Sequence, residues 1–140
     1  MVLPLWSDGE WYKKTNEFLN IITVGRTHWV KGYDIALQAL ALLKAKGIPF
    51  VYKVIGDGPD MEKLKFLTHH LNLGNNVHFL GLQNTDTIIE QLQGSDLYLQ
   101  TSWAEGFSNS TIEAQSQGLF CVVTPVSGMT KCVEPGKTGL

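Results

Sequence analysis

The sequence predicts an α/β fold in which a parallel β-sheet carries helices on both faces. Short apolar and β-branched runs alternate with segments of helical periodicity along most of the 140 residues. The connections between them are short, as is typical of βαβ units. All five segments that follow the predicted strands contain glycine. Glycine lets a backbone approach a ligand closely at the strand ends, where such sheets bind ligands.

The strand predictions depend on short runs of apolar residues that stop at glycine or at a polar turn. Gly25 closes the first run, Gly56 the second and Gly81 the third. The fourth run stops at the polar loop that begins at Thr101, and the fifth stops before Pro125. The predicted strands are 21–24, 50–55, 77–80, 96–100 and 120–124.

The helix predictions depend on apolar residues that recur every three or four positions. Gly47 ends the first helix, and Pro59 suits the first turn of the second. Asn84 or Thr85 caps the third helix. The predicted helices are 33–46, 60–71, 86–93, 110–117 and a short one at 128–133.

The periodicity also divides the chain. Residues 1–20 lack a clear pattern, and we interpret them as a linker or an irregular N-terminal segment. Residues 21–140 are predicted to form one domain, and 138–140 to begin a further strand. Because a sheet of this kind usually continues into closing helices, we interpret the chain as a fragment of a larger protein.

Composition excludes several classes of protein. A hydrophobic share of 44%, a charged share of 17% and a net charge of −2 are typical of a globular protein, and no basic stripe indicates nucleic-acid binding. No apolar run approaches the roughly 20 residues of a membrane span, and residues 1–11 lack the charged region followed by an apolar run that would predict a signal peptide. Of the two cysteines, Cys121 lies in an apolar run and is predicted to be a buried thiol, so the reducing cytoplasm is the expected compartment.

Two cations flank the end of the first predicted strand. Arg26 follows that strand directly, and Lys31 precedes the first helix, with Gly25 and Gly32 beside them. A planar guanidinium and a mobile ammonium suit a diphosphate. The alternative is a pair of solvated surface cations.

Two carboxylates stand eight positions apart after the fourth predicted strand. Glu105 follows the strand and Glu113 lies in the next helix, so both can accept hydrogen bonds from sugar hydroxyls. Between them, the amides of Gly106 and Phe107 can face a phosphate at a helix N-terminus. The alternatives are an exposed loop acid for Glu105 and, for Glu113, a capping box with Ser110.

Other familiar patterns are incomplete. The four histidines and two cysteines show no metal-ligand spacing. Gly136, Lys137 and Thr138 look like part of a phosphate loop, but Lys131 stands where its first glycine is needed, so a surface turn is favoured. No nucleophile arrangement stands out.

Taken together, residues 21–140 resemble the C-terminal, nucleotide-sugar-binding domain of GT-B glycosyltransferases, specifically family 4. Each motif is weak alone, but their order and spacing match the family. The motifs are Val24-Gly25-Arg26 with Lys31-Gly32, Ile55-Gly56-Asp57-Gly58-Pro59, Val77-His78-Phe79-Leu80-Gly81, Ser95-Asp96-Leu97-Tyr98, Glu105-Gly106-Phe107 with Glu113-Ala114, and Ser127-Gly128-Met129 with Gly136-Lys137-Thr138-Gly139. The resemblance implies a Rossmann-like domain that forms one half of a GT-B enzyme.

The resemblance implies a hexosyltransferase of polysaccharide biosynthesis that uses a UDP- or GDP-linked sugar, retains the anomeric configuration and needs neither metal nor cofactor. The implied catalytic residues are Arg26, Lys31 and Glu105, the glutamate positioning the donor sugar rather than attacking it. Glu113 would hold the ribose, and the backbone at Leu82 and Gln83 would meet the base. The other implied donor-binding residues are Gly25, Gly56, Gly106, Phe107, Ser108 and Asn109.

The resemblance also implies partners and limits. The acceptor, a glycan or a lipid carrier, would be bound by an N-terminal domain outside these 140 residues, and a lipid acceptor would bring the full-length protein to a membrane surface. We therefore expect the chain alone to bind donor weakly and to turn over little. The alternatives are another GT-B enzyme, such as a sugar-nucleotide epimerase or a phosphorylase, and a non-catalytic nucleotide-binding module.

Overall fold

A computed structural model describes the backbone of residues 2–7 and 10–15 and the whole of residues 17–140. β1 (Val2–Ser7) and β2 (Glu10–Thr15) precede the strands of a five-stranded parallel sheet. The strands of that sheet are β3 (Leu19–Val24), β4 (Phe50–Ile55), β5 (Val77–Gly81), β6 (Leu97–Gln100) and β7 (Phe120–Val123). The helices are α1 (Tyr33–Ala45), α2 (Met61–His70), α3 (Thr85–Gln93), α4 (Asn109–Ser116) and α5 (Ser127–Thr130), with a 3-10 turn at Trp29–Lys31 before α1.

The N-terminal segment differs from the irregular structure that the sequence analysis predicts for residues 1–20. β1 and β2 pair as an antiparallel hairpin in which Val2 opposes Thr15 and Ser7 opposes Glu10. In the sequence, Asp8-Gly9 separates the two strands, and this dipeptide is a strong signal for a tight hairpin. β3 also begins at Leu19, two residues before the predicted start. The period-two pattern is weak in both hairpin strands, which is why a search for periodicity misses them.

The sheet has the order β5-β4-β3-β6-β7, with every neighbouring pair parallel. The chain winds outward from β3 to β5, then returns to the other side of β3 and winds outward again through β6 and β7. The strand order therefore switches between β3 and β6. Ligands of such sheets bind in the crevice at the carboxyl ends of the strands beside this switch.

Helices cover both faces of the sheet, as predicted. In β3, Ile21 packs on the face that carries α1 and α2, whereas Ile22 packs on the face that carries α3 and α4. Both are almost fully buried, and burying a side chain of this size stabilises the fold by about 1.5–3 kcal/mol. Successive side chains of β3 thus contribute to the hydrophobic cores on both faces of the sheet.

Two further predictions are confirmed on the β7 side of the sheet. Residues 138–140 extend it in parallel, because the Leu140 amide donates to the Cys121 carbonyl at 2.8 Å and Val123 donates to Leu140 at 2.8 Å. The Cys121 thiol is fully buried, and burial raises its pKa to about 12. It is a core group and remains protonated at neutral pH.

None of the helices in the described ranges combines the length and the apolar character that a membrane span requires.

Candidate functional site

The carboxyl end of β3 is held by two buried tyrosines. The Tyr33 hydroxyl, from α1, donates to the Gly25 carbonyl at 2.9 Å. The Tyr98 hydroxyl, from β6, lies 3.2 Å from the Val24 carbonyl. Burial raises the pKa of both tyrosines, so both hydroxyls stay protonated donors. The loop that begins with Arg26 therefore leaves the sheet from a fixed point.

A cleft of about 490 Å³ opens beside this point, at the carboxyl ends of β3, β4 and β5. Five of its lining residues belong to the set predicted from the sequence: Gly25, Arg26, Gly56, Leu82 and Gln83. Within the part of the chain described, the guanidinium of Arg26 makes neither an ion pair nor a hydrogen bond. An exposed, unpaired guanidinium at the edge of a cleft is suited to bind an anion.

Lys31 and Glu105 meet although they are 74 positions apart in the sequence. Lys31 Nζ lies 2.8 Å from Glu105 Oε2, and the two side chains are 24% and 11% exposed. Gln100 Nε2 at 3.1 Å and Ser102 Oγ at 3.2 Å donate to the same oxygen. Oε2 is thus saturated by three donors, and Oε1 is left to accept from a ligand. The solvated alternatives considered for Lys31 and Glu105 are wrong.

Backbone contacts fix the two loops that carry this pair. The Trp103 amide donates to the Val30 carbonyl at 2.8 Å, and Thr101 Oγ1 donates to the Gly32 carbonyl at 2.6 Å. On the other side α5 presses against the Glu105 loop, since a Cβ on Gly128 would lie 2.1 Å from the Glu105 carbonyl oxygen. The backbone that carries the Glu105 carboxylate is therefore fixed by packing before any ligand binds.

The segment between Glu105 and α4 presents backbone rather than side chains. Gly106, Phe107 and Asn109 are exposed, and the amides of Gly106 and Phe107 find no acceptor among the described residues. Ser108 is buried instead, and its Oγ accepts from the Thr111 amide at 3.2 Å as the N-cap of α4. Unpaired amides at a helix N-terminus can bind phosphate oxygens.

The position of this cap corrects one alternative for Glu113. With Ser108 as the N-cap, Thr111 occupies the third helical position, and the capping box between Ser110 and Glu113 is wrong. The Glu113 carboxylate is exposed and unbonded within the described residues. It lines a second cavity of about 250 Å³, which shares Ile88 with the main cleft. The ribose role predicted for Glu113 stays a prediction.

Three residues of the site, Gln100, Ser102 and Ile88, are absent from the set predicted from the sequence. Gln100 and Ser102 donate hydrogen bonds to Glu105, and Ile88 lines both cavities. A signal was present for Gln100, because it is the polar end of the otherwise apolar run of β6. Ile88 carries no such signal, because an apolar residue on α3 is expected simply from packing of that helix against the sheet. Among the described residues, no cluster of three metal-ligand side chains occurs.

We expect Lys31→Met to lower the free energy of unfolding by about 1–2 kcal/mol, because it leaves the largely buried Glu105 carboxylate without its cation. The double change Lys31→Met with Glu105→Gln should recover part of that loss. Lys65→Met is the matched control, since the Lys65–Glu62 pair has the same 2.8 Å separation but is exposed. Chemical denaturation measures all three variants, and equal losses from the two single changes would contradict the prediction.

Comparison with known proteins shows the family of this chain. The family model described as glycosyl transferases group 1 matches residues 10–140. N-acetyl-alpha-D-glucosaminyl L-malate synthase of Bacillus anthracis is 31% identical over 119 residues, which are 85% of this chain and 30% of that protein.

Two solved structures have the same fold. Anabaena HepE in complex with UDP is 27% identical with a TM-score of 0.77, over 89% of this chain and 34% of that one. WaaG, a glycosyltransferase involved in lipopolysaccharide biosynthesis, is 25% identical with a TM-score of 0.78, over 90% and 34%. The chain spans about a third of the length of these three proteins. It belongs to the glycosyl transferases group 1 family, as the GT-B resemblance of its strand-end motifs predicts.

Proposed function

We propose that this chain is the donor-binding domain of a hexosyltransferase of GT-B family 4, and that its cleft binds a nucleoside-diphosphate sugar. The observation that carries the proposal is the cleft itself, which brings an unpaired Arg26 together with Gly25, Gly56, Leu82 and Gln83 at the carboxyl ends of β3, β4 and β5, on one side of the switch in strand order. The family match favours this reading over an epimerase, a phosphorylase or a binding module.

Each part of the donor has a suitable group in the proposal. Leu82 and Gln83 would contact the base at one end of the cleft, and Glu113 would accept from the ribose hydroxyls across Ile88. Arg26 and the open amides of Gly106 and Phe107 would bind the diphosphate, and Oε1 of Glu105 the sugar. Asn109, exposed in the first turn of α4, would complete the donor contacts. A nucleotide sugar also fits the chemistry of these groups. Its diphosphate can accept from the unpaired guanidinium and amides, and its hydroxyls can donate to the unpaired carboxylate oxygens.

The proposed reaction is transfer with retention and without a bound metal. The diphosphate leaves as the sugar carbon gains oxocarbenium character, so negative charge grows on the leaving phosphate oxygen. Arg26 and Lys31 would stabilise that charge where other enzymes use a divalent ion. Lys31 is already beside Glu105, and it would contact the phosphate while Glu105 holds the sugar.

The acceptor belongs to the rest of a longer protein in this proposal. The lipopolysaccharide role of WaaG favours a glycan or a lipid carrier, and therefore peripheral contact with a membrane surface. No nucleic acid is expected as a partner, because the net charge is −2. The cytoplasmic location stays a prediction.

Calorimetric titration of the 140-residue chain tests donor binding. UDP, GDP and ADP are compared with uridine, followed by UDP-glucose and UDP-N-acetylglucosamine. We expect at least one nucleoside diphosphate to bind, and uridine to bind at least about tenfold more weakly than UDP, because it lacks the charged group that Arg26 would pair with. Absence of binding by every diphosphate, or equal binding of UDP and uridine, would contradict the proposal.

A further inference from the structure

The polar side chain of Gln100 is buried in the interior of the protein. Gln100 ends β6, one of the two strands beside the switch in strand order, and it is only 2% exposed. A buried amide must be hydrogen-bonded on both its oxygen and its nitrogen to be tolerated. In this structure both ends of the amide face groups of the candidate site.

The amide oxygen faces a cluster of hydroxyls. Tyr98 Oη lies 2.7 Å from Gln100 Oε1, and Ser108 Oγ lies 3.1 Å from it. Ser110 Oγ and Thr111 Oγ1 are each 3.3 Å away. Three of these hydroxyls belong to the N-cap and first turn of α4, so Gln100 Oε1 fastens that turn to the sheet.

The amide nitrogen faces the carboxylate. Gln100 Nε2 is 3.1 Å from Glu105 Oε2 and 3.1 Å from Ser102 Oγ. The orientation of the amide is fixed by its neighbours, since an ionised carboxylate only accepts hydrogen bonds and must face the NH₂ group. Gln100 therefore connects Glu105 to the first turn of α4, which follows the open amides of Gly106 and Phe107.

We propose that Gln100 is a positioning residue that directs the Oε1 oxygen of Glu105 toward the donor sugar and couples it to the first turn of α4, which follows the Gly106 and Phe107 amides that would bind the diphosphate. The proposal rests on the proposed function of this cleft. In the proposed role, Gln100 itself does not contact the donor. Gln100, Lys31 and Ser102 occupy Oε2, and only the other carboxylate oxygen is left for a hydroxyl. An apolar side chain at position 100 would remove one of these three donors, so Lys31 and Ser102 alone would hold the carboxylate in its orientation.

The first variant is Gln100→Leu, and its affinities are measured by titration with UDP and with one sugar nucleotide. That sugar nucleotide is UDP-glucose or UDP-N-acetylglucosamine, whichever the unchanged chain binds more tightly. The ratio of the two dissociation constants isolates the contribution of the sugar. We expect sugar-nucleotide affinity to fall roughly tenfold more than UDP affinity, because a hydrogen bond that orients a charged group is lost.

Gln115→Leu is the matched control. The Gln115 amide donates to the Cys132 carbonyl at 2.9 Å from the last turn of α4, outside the Glu105 network. It should leave the ratio unchanged. Thermal unfolding of each variant separates a loss of fold from a loss of positioning.

Gln100→Glu provides a readout that a merely structural role would not move. Its carboxyl keeps the size of the amide and an oxygen for the hydroxyl cluster, but it places a second carboxylate against Glu105. Two carboxyls in contact share one proton at lower pH, and that proton restores a donor toward Glu105. The other titratable groups that face the pair are Lys31 and Tyr98, and burial raises the pKa of Tyr98, so its hydroxyl stays protonated. We expect sugar-nucleotide affinity of this variant, relative to UDP, to recover as the pH falls from about 8 to about 5.

The outcomes separate the two proposals. If the unchanged chain binds no nucleoside diphosphate, the proposed function fails and the role of Gln100 fails with it. If the unchanged chain binds the donor while Gln100→Leu and Gln100→Glu both keep its affinity ratio at every pH, only the role of Gln100 is overturned. If Gln100→Leu does not fold, the pH profile of Gln100→Glu decides, and a flat profile overturns the inference.

Discussion

Gly56→Ala is expected to lower the free energy of unfolding by about 3 kcal/mol or more. The backbone of Gly56 has a φ of +133°, which L-residues rarely adopt, and a Cβ there would lie 2.0 Å from the Gly25 carbonyl oxygen. That oxygen cannot move away freely, because Tyr33 donates to it at 2.9 Å. Chemical denaturation followed by circular dichroism measures the loss.

Gly74→Ala is the control for this change. Gly74 is exposed, its φ is not positive, and a Cβ there would meet no atom within 4 Å, so its effect should stay within about 0.5 kcal/mol. Similar stabilities for the two variants would show that the ends of β3 and β4 can separate, and that the wall of the cleft is not rigid. The same measurement therefore tests whether the proposed donor site exists before a ligand binds.

Most of the sheet could be predicted because its signals are local. β4 has its predicted bounds, and α1 begins at its predicted residue, since an apolar run or a helical stripe appears directly in the sequence. The pairing of β1 with β2 was not predicted, because these strands lack a clear alternation of apolar and polar residues. The start of α4 was predicted incorrectly for another reason. Ser108 and Ser110 are equally good N-cap residues in the sequence, and only the hydrogen bonds of Ser108 to Thr111 and Gln100 decide between them.

The candidate site, like the fold, could be predicted only where its signals are local in the sequence. Gly25, Gly56 and Leu82 could be predicted to share a cleft, because parallel strands bring their carboxyl ends to one edge. The direct contact of Lys31 with Glu105 could not, since loops of irregular backbone determine it. Gln100 was missed because the sequence does not say which face of the sheet a strand-terminal residue occupies, and so whether an amide there is solvated or buried.

Arg26→Ala is expected to weaken UDP binding by about 30- to 100-fold and to leave uridine binding unchanged. Arg26 lines the cleft with an unpaired guanidinium, so a diphosphate gains a charge-assisted contact without breaking an existing ion pair. Such contacts contribute about 2–3 kcal/mol, which corresponds to this loss of affinity. Because the interaction is ionic and exposed, the difference between Arg26→Ala and the unchanged chain should shrink as salt is raised. Titration of both nucleotides at low and high salt measures it.

Two further variants make the result specific to Arg26. Lys65→Ala removes one positive charge from the exposed surface of α2, away from the residues that line the cleft, and it should leave UDP affinity nearly unchanged. Arg26→Lys keeps the charge but loses the planar fork, and its affinity should lie between those of the unchanged chain and Arg26→Ala. If Lys65→Ala weakened UDP as much as Arg26→Ala, net charge would explain the binding. If Arg26→Ala weakened uridine equally, the guanidinium would support the cleft rather than bind the diphosphate.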